Sequence, residues 1–212
     1  RHQPAPILPL DLLTNPTVRY CVGSSIFAFA AQMVALIATP FMLHLVLGLE
    51  MLATGMTMTT WPLAVALMAP IAGRLVDHKV PSAALCVLGS VILCTSLIFI
   101  NTNAGTLTTT KLVVTMAIAG IGFGFFQTPN NRSMLASTPR ARSGSAGGLQ
   151  ATARLMGQTL GAAIVGISFT LTDGDTLSAC SGAFLAGGVS AVLSAGFSMW
   201  RLIKRKKGHE SG

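Results

Sequence analysis

The chain has 212 residues, 51% hydrophobic and only 9% charged, with a mean hydropathy of +0.67. A soluble domain carries roughly 25% charged residues, so this composition excludes an ordinary water-soluble fold. The net charge of +8 is no nucleic-acid footprint either, because the basic residues sit between apolar blocks without interleaved aromatics to stack on bases.

The chain opens on a polar segment, residues 1–19, which has no apolar signal core or cleavage site. Its first residue is Arg rather than Met, so a longer parent protein is expected. A helix needs about 20 apolar residues to cross a bilayer. Blocks of that length follow at 20–43, 51–72, 83–101, 111–134, 145–169 and 179–201. They are too long for membrane strands and lack the alternation of a barrel. The expected fold class is therefore all-α, a polytopic membrane protein with six transmembrane helices in one bundle over 20–201. A cytoplasmic segment at 1–19 and a basic cytoplasmic tail at 202–212 flank it.

Polar groups inside these blocks are the candidates for function, since they are costly in hydrocarbon. Gln32 lies near the middle of the first block. A midplane amide either lines a watery pathway or bonds a neighbouring helix. In the second block Trp61 stands beside Thr57, Thr59 and Thr60, away from the interfacial belt. It offers either an aromatic wall for an apolar or cationic ligand or plain packing. The stretch "GRLVDHKV" between the second and third blocks carries Gly73, Arg74, Asp77 and Lys79.

The fourth block ends in "QTPNNRSMLASTPRARSG". Its arginines suit the headgroup level, Pro129 frees a backbone carbonyl, and Gln127, Asn130 and Asn131 lie too deep for a loop. Gly120 and Gly124 form a small-residue pair, as do Gly157 and Gly161 in the fifth block. Arg154 and Gln158 share a face with the second pair at about 100° per residue. Arg154 is either a cavity-lining cation or an arginine that snorkels outward. The ten methionines suit a permissive surface.

Lys and Arg set the orientation. With six spans, Arg1, Arg19, Arg74, Lys79, Arg132, Arg140, Arg142, Arg201, Lys204, Arg205, Lys206 and Lys207 all fall on one side. Lys111, Glu50, Asp173 and Asp175 fall on the other. Both termini are expected in the cytoplasm. All six acidic residues (Asp11, Glu50, Asp77, Asp173, Asp175 and Glu210) lie in loops, tails or at span ends. A proton-carrying acid inside the bilayer is therefore not expected from these residues. The four cysteines form no CxxC pair and read as buried small hydrophobes, so no metal site is expected. No hydrolase, zincin or phosphate-loop motif occurs, and "GIGFG" at 120–124 follows no strand, so no enzyme is expected.

Residues 43–80 and 120–166, with "PILPLDLLTNPTVR" at the start, resemble the C-terminal six-span portion of a major facilitator superfamily transporter. The resemblance is nearest to the fourteen-span drug:proton antiporters. "GRLVDHKV" is similar to a degenerate copy of the family's cytoplasmic loop motif. The resemblance implies one bundle of a multidrug efflux transporter working by alternating access, with a proton gradient as energy source and no cofactor. Its proton-coupling carboxylates would lie in the missing N-terminal half. The expected partners are the lipid bilayer, that missing half and a lipophilic or cationic small molecule. The expected location is a bacterial inner membrane. A non-transporting six-span module that binds or regulates a partner, and an uptake carrier of the same superfamily, remain alternatives.

Overall fold

A computed structural model describes the backbone of residues 10–210 and the side chains of residues 11–204. Arg1 and the side chains of Arg205, Lys206, Lys207 and Glu210 lie outside the described residues. The described part is all helix and connection. Seven α-helices follow in order: α1 (Pro16–Phe41), α2 (Met51–Met58), α3 (Thr60–Asp77), α4 (Ser82–Thr102), α5 (Thr109–Ala136), α6 (Ser143–Leu171) and α7 (Thr176–Glu210). A 3-10 turn at Leu10–Thr14 precedes α1.

Local chemistry explains the helix ends. Pro16 occupies the first turn of α1, where a missing N–H costs nothing, and Asn15 caps it by accepting from the Thr17 amide at 2.9 Å. Thr108 caps α5 and Asp175 caps α7. Pro40 lies inside α1, and beyond it the winding widens into a π-turn at Met42–Val46, closed by the Leu47 amide on the Met42 carbonyl at 3.0 Å. Pro62 cannot close a hydrogen bond to the Met58 carbonyl, and the helix breaks at Thr59 between α2 and α3. α5 runs through Pro129 without interruption.

Five stretches are long and apolar enough to cross a membrane: Pro16–Val46, Met51–Asp77, Ser82–Thr102, Thr109–Ala136 and Thr176–Lys204. The second combines α2 and α3. α6, which carries Gln150, Arg154 and Gln158, is long enough at 29 residues but has no stretch as apolar as those five. This leaves five membrane-capable helices where the hydropathy blocks predict six. The helices also outrun the blocks. α1 begins at Pro16 rather than 20, and α7 continues as helix through the expected tail to Glu210.

The helices form a front row in the order α3, α5, α1, α6, with α4 and α7 packed behind α5 and α1. Phe29, Trp61, Phe123 and Phe126 meet in the main core with Leu93 and Leu97, and Phe29 stands edge-on to Phe123 at 5.2 Å. Glycines set the close approaches. A Cβ on Gly120 or Gly124 of α5 would stand 3.0 Å from the Cβ of Ala64 or Met68 in α3, and Gly122 lies on Gly89 of α4. Gly157 and Gly161 of α6 lie on the α1 backbone at Ile26 and Ala30. The outer row members are thinly covered. α3 buries only Trp61, Ala64 and Ala72, while Leu63, Leu67, Leu155 and Met156 are exposed.

Candidate functional site

Three polar groupings stand out against this apolar packing. The first is a buried node around Asn130, which is fully buried in α5. Its Nδ2 donates to the Cys21 carbonyl at 3.2 Å and to Ser25 Oγ at 2.8 Å. The Ser25 hydroxyl donates on to Gln150 of α6 at 3.2 Å. Asn130 Oδ1 accepts from Ser24 Oγ at 3.3 Å and from Arg201 Nη1 at 3.2 Å. Arg201 comes from α7, is only 7% exposed, and also donates to the thiols of Cys21 and Cys86. Asn130 thereby joins α1, α5, α6 and α7, and Arg201 extends the node to α4. A second chain of hydroxyls stitches the rear layer, where Ser90 pairs with Ser194 at 3.0 Å and Ser194 donates to the Ser24 carbonyl at 3.0 Å.

This node corrects the expectation that Arg201, like the other cations at the end of the sixth block, simply sits among the flanking charges. α7 continues past it as helix, and its side chain turns inward rather than toward the headgroups. Cys21 and Cys86 are buried as expected, but as acceptors for a guanidinium rather than as bare hydrophobes. The sequence marks Asn130 as a polar residue too deep for a loop, and Ser24 and Ser25 adjoin in an apolar block, but nothing local connects them to Cys21, Cys86 and Arg201, because the members are far apart in the chain.

The second grouping is a set of buried polar atoms without partners among the described residues. It includes Gln32 Oε1 on α1, Asn131 Oδ1 on α5 and Trp61 Nε1 on α3. Trp61 is 3% exposed and packs 6.0 Å from the Phe123 ring, so it is a core residue rather than an open wall. Gln127 and Gln158 are half-buried, and Arg154 is exposed on α6. The fold therefore spreads the predicted pathway residues along the front row. Gln32, Gln127, Asn131, Arg154 and Gln158 belong to the row α5, α1, α6, whereas Asn130 and Trp61 are sealed inside.

The third grouping lies at the basic end. Asp77 at the end of α3 accepts from Arg132 of α5 at 2.5 Å, with 59% and 51% of the two side chains exposed. Arg132 also reaches the Gly73 carbonyl at 3.4 Å. Exposure on this scale limits such a pair to about 0–1 kcal/mol. Lys79 adopts φ of 66° in the turn after α3. A second pair joins Arg142 to Asp11, and the guanidinium's hydrogen bond holds the Asp11 carboxyl below the usual aspartate range. Among the described residues no group of acids, histidines and cysteines could hold a metal ion.

Comparison with known proteins identifies this architecture. The model of the Major Facilitator Superfamily matches residues 1–162. The chain belongs to the major facilitator superfamily. Members of this superfamily are transporters, not enzymes. It is 41% identical over 164 residues to the uncharacterized transporter YebQ of Escherichia coli, covering 77% of this chain and 36% of that protein. It is 33% identical over 164 residues to the riboflavin transporter RibZ of Clostridioides difficile, covering 74% and 34%. It is 34% identical over 154 residues to the multidrug efflux pump LfrA of Mycolicibacterium smegmatis, covering 69% and 30%. The chain spans about a third of the length of these curated relatives. Asp77 lies in the stretch whose sequence resembles the superfamily loop motif, and its partner Arg132 comes from the uninterrupted α5.

Proposed function

We propose that the chain is one bundle of a proton-driven efflux transporter for lipophilic or cationic small molecules, working by alternating access against a second bundle. The unfinished front row carries this reading. α3 and α6 leave apolar side chains uncovered at its two edges, and Gln32 and Asn131 hold buried acceptors without partners between them. A second bundle docked on this row would cover the edges and enclose a cavity lined by Gln32, Gln127, Asn131, Arg154 and Gln158. In this arrangement α6 is the remaining span. Its polar face is tolerable in a membrane because it looks onto that cavity rather than lipid. The similarity to the multidrug efflux pump LfrA supports export.

The described carboxylates lie at helix ends or in connections. The proton-carrying acid therefore belongs in the second bundle. The cluster of Arg74, Lys79, Arg132, Arg140 and Arg142 faces the cytoplasm of a bacterial inner membrane, with both termini on the same side. Efflux of ethidium from cells making the full-length protein tests the function. Active extrusion that stops with a protonophore is the expected result, and unchanged accumulation rejects it. The similarity to a riboflavin transporter favours a second reading, a carrier for one heterocyclic solute. Saturable riboflavin exchange without dye extrusion would select that reading.

A further inference from the structure

At the basic end, a cavity of about 620 Å³ opens between the starts of α1 and α4 and the ends of α5 and α7. Three cations line it: Arg132, Arg201 and Lys204. Hydroxyls of Thr17, Tyr20 and Ser82 line it as well. Asp77 is committed to Arg132, and among the described residues neither Arg201 nor Lys204 pairs with a carboxylate. Lys204 instead lies over the Tyr20 ring, 5.7 Å from its centroid.

Arg201 makes the cavity more than a basic surface. It is buried, and its acceptors are two thiols and an amide oxygen, which offer dipoles but no full counter-charge. A buried cation without a counter-ion is costly. A guanidinium has five N–H donors. Three are taken by those acceptors, which leaves two for a ligand in the cavity. The first turn of α4 also lines the cavity through Ser82 and Ala83, and no side chain caps it. Its free amides and the positive end of the helix add to the field.

We propose that this cavity binds a phosphate group. Arg201 would supply a planar fork to its oxygens, Lys204 a mobile ammonium, and the α4 amides and Ser82 hydroxyl further donors. Its position at the end of membrane-capable helices allows two sources of the same chemistry, the headgroup of an anionic phospholipid or a free phosphate.

The test uses the full-length transporter in neutral detergent. Its melting temperature is followed while titrating short-chain phosphatidylglycerol, short-chain phosphatidylcholine, and inorganic phosphate against equal chloride. Two variants probe the cavity without removing the buried arginine. Lys204→Gln deletes one cation. Ser82→Asp places a carboxylate at the start of α4, where it suits the helix dipole and competes for Arg201. Arg140→Gln, at the same end but outside the cavity, is the control for net charge.

Phosphatidylglycerol is expected to raise the melting temperature more than phosphatidylcholine, whose choline cation meets like charge. Lys204→Gln is expected to weaken that binding roughly tenfold, the scale of one charge-assisted hydrogen bond. Ser82→Asp should weaken it while raising the melting temperature of the unliganded protein, and Arg140→Gln should change neither. Stabilisation by the lipid alone assigns the site to a headgroup. Equal stabilisation by inorganic phosphate assigns it to a soluble phosphate. The proposal is overturned if neither ligand exceeds its control, or if Lys204→Gln and Ser82→Asp bind as tightly as Arg140→Gln.

Discussion

Gly161 of α6 rests against the backbone of Ala30 in α1, so close that a Cβ built on it would stand 2.5 Å from the Ala30 carbonyl oxygen. Without a hydrophobic force between helices in lipid, such approaches carry much of the packing. Gly161→Ala is therefore expected to force the α1–α6 pair apart and destabilise the bundle by about 1–3 kcal/mol, as overpacking does. Gly166 of the same helix has open space around it, so Gly166→Ala should be neutral or slightly stabilising through its better helix propensity. Thermal unfolding of the two variants in one detergent compares them directly.

Asn130 is the crossing point of four helices, and no apolar residue can replace its donor and acceptor together. Asn130→Leu would take from Ser25 one of its two donors, with Gln150 Nε2 remaining, and from Arg201 its only oxygen acceptor among the described residues. The expected cost is about 2–4 kcal/mol, in the range for buried polar networks. Asn131→Leu removes an oxygen that already lacks a partner among the described residues and should cost far less. A similar drop in melting temperature for both would show that bulk rather than hydrogen bonding decides.

Transport should depend on Arg154 more than on another exposed arginine. Arg154→Ala in the full-length protein is expected to slow dye extrusion roughly tenfold, the scale of one charge-assisted contact. Arg140→Ala should leave it unchanged, and Arg154→Lys should recover part of the rate. Equal, mild effects of the two alanine variants would return Arg154 to a headgroup anchor.

The Asp11–Arg142 pair predicts a pH dependence confined to one corner. Asp11 is held below the usual aspartate range by Arg142. The contribution of its charge is therefore present above the ordinary aspartate pKa and is lost as pH falls through the lowered folded value. Both groups are solvent-accessible, so salt should weaken the effect. The protection of the amides of residues 10–14, measured against the intrinsic exchange rate at each pH, is expected to fall on acidification below the ordinary aspartate range. Asp11→Asn should remove that dependence, leaving exchange in α5 unchanged.

Much of the architecture was legible in the chain because lipid makes hydropathy and helix length nearly the same signal. The block at 83–101 became α4 with ends within a residue or so, since Pro81 and Asn103 bracket it. The acids at span ends and the glycine pairs could also be read from position alone. Arg201 could not. It follows an apolar block and precedes a run of lysines and arginines, so local sequence assigns it to the headgroups, whereas its acceptors come from α1, α4 and α5. Trp61 was ambiguous for a related reason, because its partner Phe123 lies on a helix that local periodicity does not connect to it. The less apolar α6 shows the limit of hydropathy itself. In the proposed arrangement its polar face looks onto the pathway, and the residues that suit that role lower its hydropathy.

The π-turn at Met42–Val46 has a consequence for how this chain tolerates changes in length. Its wide winding holds one residue of slack at the end of the first helix, where Met42 and Leu43 are buried in the main core and His44 and Leu45 are exposed. Deleting one residue there would let the turn tighten to ordinary α-winding, with Phe41 and everything before it kept in register. The same deletion at Ala30 would swing half the helix by about 100° and turn its core face outward.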